Sequence, residues 1–129
     1  MTQSYKDLIV WKKSIDLATI VYRCLKTFPK SEMFGIVSQM QRAVISIASN
    51  IAEGQGRRSD KEFSRFLSIA KGSLCELETQ IIISEKVNYM TAETMEGLLD
   101  QCDELGRLLN GLIKSIESKL RSQPKSSDD

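Results

Sequence analysis

The chain has 129 residues, 41% hydrophobic and 27% charged, with a formal net charge of +1; these values fit one ordinary globular domain. No apolar run approaches the roughly 18 residues of a membrane span, and the opening MTQSYKDLIVWKK lacks the apolar stretch of a signal peptide. A cytoplasmic protein without a membrane partner is therefore expected, and the absence of histidine excludes Ser-His and Cys-His nucleophile pairs and the Glu-x-x-His motifs of di-iron bundles.

In chain order, four segments carry apolar residues at alternating steps of three and four, the spacing of a helix seam. The first reads Leu8, Trp11, Ile15, Ala18, Tyr22, Leu25 over a predicted helix 7–27. Asp7 can cap it, and Phe28-Pro29 ends it because proline disfavours helix at the residue before it. The second, 31–54, reads Met33, Val37, Met40, Val44, Ile47, Ile51. Ser31 can cap this helix, although Gly35 can split off its first turn, and Gly54-Gln55-Gly56 closes it with Gly54 as the C′ residue. The third, 59–88, opens on the capping box Ser59-Asp60-Lys61-Glu62 and reads Phe63, Leu67, Ala70, Leu74, Leu77, Ile81 before Asn88-Tyr89. The fourth, 91–121, starts at Thr91 and reads Met95, Leu98, Cys102, Leu105, Leu109, Leu112, Ile116. From residue 122 onward SQPKSSDD lacks apolar anchors and reads as a disordered tail. Short connections between long helices make antiparallel neighbours, so the fold expected for 1–121 is an all-α, up-down-up-down four-helix bundle.

The second helix is the most informative segment. It is apolar nearly all round, which marks a helix buried on more than one side. Its polar residues Arg42, Ser46, Ser49 and Glu53 are spaced four, three and four, and so share one stripe. A buried charge there needs a partner. Arg42 is expected to pair with Glu76 or Glu78, and Asn50 and Glu53 to bond across helices or to cap backbone groups. Second apolar stripes recur every seven residues at Val10, Leu17 and Cys24, and at Leu99, Gly106 and Ile113. Gly72, with Ser68 and Ser73, offers a close-approach surface on the third helix. Surplus apolar surface on a small bundle points to a protein–protein interface, hence a homo-oligomer.

No phosphate-binding glycine loop or dinucleotide fingerprint is present, so no enzyme and no cofactor is expected. The acids Glu93, Glu96, Asp100, Asp103 and Glu104 read as a solvated helix face rather than a metal site. Cys24, Cys75 and Cys102 fit neither a disulfide framework nor zinc spacing, and read as small buried thiols. Charge is polarised along the chain. Residues 1–71 hold twelve Lys/Arg against six Asp/Glu, net +6, while 72–129 hold six against eleven, net −5. That polarity suits an anionic partner or head-to-tail self-association.

Three blocks carry a family resemblance: YKDLIVWKKSIDLA at Tyr5–Ala18, FPKSE at Phe28–Glu32 leading into QMQRAVISIASNIAEG, and RRSDKEFSRFLSIAKGSLCELETQ at Arg57–Gln80. In order and spacing the chain resembles the bacterial 23S rRNA intervening-sequence proteins over about residues 5–120. One departure is Ala48-Ser49-Asn50, where the family often has proline before the Ser-Asn pair. The resemblance implies a four-helix bundle, a homopentamer, and association with RNA or with a protein such as a reverse transcriptase, as for similar accessory proteins of diversity-generating retroelements. Candidate phosphate contacts are Lys12, Lys13, Arg57, Arg58, Lys61, Arg65 and Lys71. The Arg57-Arg58 pair lies beside a helix N-terminus, where guanidinium groups and backbone N–H groups can meet phosphate together. The competing reading is a protein–protein scaffold that binds no RNA.

Overall fold

The computed structural model describes residues 4–122. A 3-10 turn, Tyr5–Asp7, leads into α1 (Ile9–Leu25); a second, Lys30–Glu32, leads into α2 (Ile36–Gly56); α3 (Asp60–Lys86) and α4 (Ala92–Ser122) follow. Each helix packs on the next, and α1 closes the ring against α4. This is an antiparallel four-helix bundle. Of the expected tail, Ser122 ends α4 and the rest lies outside the described residues, as do residues 1–3 of the expected domain.

The helix ends follow local chemistry, with some corrections. Ser59 Oγ accepts from the Glu62 N–H at 3.3 Å and Thr91 Oγ1 from the Thr94 N–H at 3.1 Å, as the capping pattern requires. Asn88 takes the left-handed conformation after α3 (φ 66°), and the Tyr89 N–H returns to the Ser84 carbonyl at 2.8 Å, a Schellman closure. Asp7 does not cap α1. Ser4 instead caps the preceding 3-10 turn, and Leu8, which has no capping side chain, stands at the start of α1. Ser31 does not cap α2 either, because Gly35 breaks off the 3-10 turn and α2 begins after it. Here the Tyr89 O–H donates to Glu32 Oε2 at 2.7 Å, and the Tyr89 ring packs 5.6 Å from Phe28. That hydrogen bond raises the phenol's pKa, so the clasp stays intact at neutral pH.

The core is a single cluster in which Leu17, Met40, Ile47, Leu67, Leu77 and Leu105 are almost fully buried. Seams on α2, α3 and α4 face inward largely as their spacing predicts. The seam assigned to α1 does not. Its buried residues are Val10, Ser14, Leu17, Val21 and Leu25, while Ile15 and Tyr22 are each 38% exposed. The helix is rotated toward what the sequence offered as a second stripe, and Ser14 is accommodated because its hydroxyl bonds the Trp11 carbonyl at 2.7 Å. The thiols also differ from expectation: Cys102 is buried, Cys24 is partly buried and Cys75 is exposed. Burial, with a smaller contribution from Glu78, pushes the Cys102 thiol up to about 12, which disfavours the thiolate at neutral pH.

Gly54 does not act as a left-handed cap. It is helical and buried in α2, and a Cβ there would lie 2.6 Å from Phe66 Cβ. Its role is close approach of α2 to α3. Gly54→Ala is therefore expected to destabilise the bundle by about 1–2 kcal/mol, since overpacking against a rigid Cβ outweighs the gain of alanine over glycine in a helix. Gly97→Ala, where α4 offers open space, is expected to stabilise by about 0.5–1 kcal/mol. Thermal melts of the two variants check the opposite signs.

Candidate nucleic-acid interface

The α2–α3 turn carries the adjacent cations Arg57 and Arg58, with Lys61 and Arg65 following on the first turns of α3. Because Gly54 lets Phe66 sit against α2, the Phe66 ring lies between two guanidinium groups, Arg57 at 5.2 Å and Arg65 at 4.5 Å. Both are within cation–π range. Each arginine also meets a carboxylate: Arg57 Nε donates to Glu53 Oε2 at 3.1 Å, and Arg65 makes two bonds to Glu62 at 3.0 and 3.1 Å. The fork on Glu62 holds its carboxyl below the usual range and raises the pKa of Arg65. These pairs are exposed, so they are weak and exchangeable for another anion.

Between them stands Arg58, exposed and in the left-handed region at φ 57°. Neither Arg58 nor Lys61 forms an ion pair among the described residues. The last turns of α4 return to this end of the bundle, where Lys119 Nζ is 3.5 Å from Asp60 Oδ2. The end built from the α2 C-terminus, the α3 N-terminus and the α4 C-terminus thus gathers seven bases (Arg57, Arg58, Lys61, Arg65, Lys114, Lys119, Arg121) against Glu53, Asp60, Glu62 and Glu117, net +3. Sequence reasoning missed the three α4 bases because they lie in the acidic half of the chain. The only signal was the length of α4, which carries its last turns back beside Arg57.

The remaining candidates lie elsewhere. Lys13 is tied to Glu104 across α1 and α4 at 2.6 Å, which raises the lysine pKa and lowers that of the glutamate. Lys12 is exposed on α1 beside it, and Lys71 lines the α3–α4 groove with Cys75, Glu78 and Arg107. The polar stripe of α2 is also rearranged. Arg42 pairs with neither Glu76 nor Glu78; it is exposed and bonds Ser38 Oγ at 3.1 Å. The link to α3 is made by Ser46 Oγ and Ser73 Oγ at 2.8 Å, with Asn50 bonding Ser46 from its own helix. Burial of Met40, Val44, Ile47 and Ile51 turns Ser46 toward α3 and leaves Arg42 on the outer edge of the groove. Ser49 is exposed, and Glu53 serves Arg57.

Among the described residues no group of His, Cys, Asp or Glu is placed to hold a metal ion. No described helix is long and apolar enough to cross a membrane.

The model of the 23S rRNA-intervening sequence protein family matches residues 6–111, and the chain belongs to that family. A crystal structure of a protein of unknown function from the S23 ribosomal protein family of Bacteroides thetaiotaomicron is similar, with a TM-score of 0.74 and 28% identity over 82% of this chain and 99% of that one. No curated protein matches.

Since Arg42 is exposed and bonded only to a serine one turn away, Arg42→Ala is expected to change stability by less than about 0.5 kcal/mol. A urea melt superimposable on the wild type, run dilute enough to report on the single subunit, checks this.

Proposed function

We propose that this member of the 23S rRNA-intervening sequence protein family is a non-enzymatic, homo-oligomeric binding protein that meets RNA phosphates through the basic end of its bundle. The observation that carries the reading is Arg58. A long side chain in the left-handed region costs about 1 kcal/mol that glycine would not incur. Its exposed guanidinium, next to Lys61 and the α3 N-terminus, forms no ion pair among the described residues. Backbone N–H groups and helix dipole at that N-terminus favour an anion at the same place. Arg57 and Arg65 are oriented by Phe66 and can exchange their exposed glutamates for phosphate. One subunit offers few charges, and an oligomer repeats them, so avidity supplies the affinity.

A protein scaffold that binds no RNA is the second reading, supported by the exposed apolar residues of α1 and α3 (Ile15, Tyr22, Ile69, Ile83).

The two readings separate in an anisotropy titration with structured RNA at two salt concentrations. Binding is expected to weaken steeply with salt and to depend little on sequence. Replacing Arg57, Arg58, Lys61 and Arg65 by glutamine should reduce both the affinity and the slope of log K against log salt, by about three if all four contact phosphate. No binding at low salt would favour the scaffold. Arg58→Gly separates use from stability: the melt should rise by about 1 kcal/mol as backbone strain is relieved, while RNA affinity falls.

A further inference from the structure

A stripe of α1 and a groove between α2 and α3 are both open on the described bundle, and the two match. On α1, Ile15 and Tyr22 stand exposed one heptad apart, with Lys12 and Asp16 beside them. The groove lies between α2 and α3, is open over about 330 Å³, and is lined by Arg42, Ser46, Ser73, Glu76 and Gln80. Ile69 and Ile83, each seven residues from Glu76, stand exposed along α3. Gln80 Oε1 is buried there without a hydrogen-bond partner. A buried acceptor left unsatisfied is costly, and it marks where a donor is missing. Lys12, Asp16 and Glu76 form no ion pair among the described residues, and Arg42 bonds only Ser38.

Contacts inside the bundle set the axial register of these groups. Ser46 meets Ser73, Gly106 faces Leu74, and Lys13 meets Glu104. Counting along antiparallel neighbours, Lys13 and Glu76 lie at one level of the bundle. Lys12 is then level with Glu76, and Asp16 with Arg42, to within about two residues, or roughly 3 Å. Tyr22 falls level with Ile83 to the same tolerance. Stripe and groove are therefore complementary in charge and in apolar content with no axial shift.

We infer that the groove between α2 and α3 receives α1 of a second copy of this chain, parallel to α3, with Lys12 of the docked copy against Glu76 and its Asp16 against Arg42. The contact joins two different faces, so it is heterologous. The absence of an axial shift meets one condition for a closed ring, and the rotation between copies sets whether and at what number it closes. The occupant is a second copy because the four charges pair with one another at one level, while the outward face of α4, with Glu93, Glu96, Asp100 and Asp103, has no apolar stripe to offer. This inference rests on the self-association proposed above and assigns its two surfaces.

Light scattering coupled to gel filtration tests it, with circular dichroism melts confirming that each variant is folded. The wild type should run as a multiple of the 14.5 kDa subunit. Ile15→Asp, on the exposed stripe, and Lys12→Glu should each shift the mass toward the monomer. The double variant Lys12→Glu/Glu76→Lys should restore assembly, and Asp16→Arg/Arg42→Asp should assemble better than either single change. Wild-type mass retained in Ile15→Asp and Lys12→Glu would overturn the surface assignment and leave self-association standing. A monomeric wild type at micromolar concentration would overturn both. A double variant as monomeric as Lys12→Glu would refute the Lys12–Glu76 pairing.

Discussion

The closeness of α2 to α3 is the constraint from which the informative features follow. It is set at Gly54, where only a missing Cβ admits the Phe66 Cβ and ring. With that approach, Ser46 and Ser73 reach hydrogen-bond distance farther along the pair. At the near end the connection is left so short that Arg58 must turn in the left-handed region before Ser59 can cap α3. The same packing places Phe66 under both Arg57 and Arg65. One glycine thus couples a tight interhelix contact to the arrangement of a cationic surface.

The second helix has two duties, and its side chains divide accordingly. Met40, Val44, Ile47 and Ile51 fill the core, while Ser46 and Asn50 handle the α3 side with short polar bonds rather than charges. Small hydroxyls satisfy each other at a helix–helix contact without the desolvation cost of a buried ion pair. The charges of α2 are thereby displaced to the outer edge, where Arg42 stays hydrated and available and Glu53 folds onto Arg57. Polarity on an otherwise apolar helix marked a contact, but the contact is made by serine and not by arginine.

Charge shows how antiparallel folding rearranges a linear pattern. Along the sequence the chain divides into a basic first half and an acidic second half. In the bundle the last turns of α4, basic but belonging to the acidic half, return beside the α2–α3 turn. The result is a polarity of ends, with Lys114, Lys119 and Arg121 joining Arg57, Arg58, Lys61 and Arg65, and with Lys12, Lys13 and Lys71 left on the sides. A halfway count therefore pointed to a basic surface but carried no information on which bases share one end of the bundle.

Local chemistry was legible in the sequence. Periodicity of three and four specified four helices, Ser59 and Thr91 marked two starts, and the turn residues gave connections short enough for antiparallel neighbours. The resemblance carried by the Tyr5, Phe28 and Arg57 blocks gave the family. The rotation of α1 was not legible, because Leu8-Ile15-Tyr22 and Val10-Leu17-Cys24 are both apolar at helical spacing, and periodicity cannot rank two stripes on one helix. Only packing against α2 and α4 chose Val10, Leu17 and Val21 for the core and left Ile15 and Tyr22 outside. The role of Gly54, the partner of Arg42 and the gathering of α4's last bases at the α2–α3 turn were likewise decided by tertiary structure. Each depends on which atoms of a distant helix arrive within a few ångströms, and a linear spacing carries no such distance.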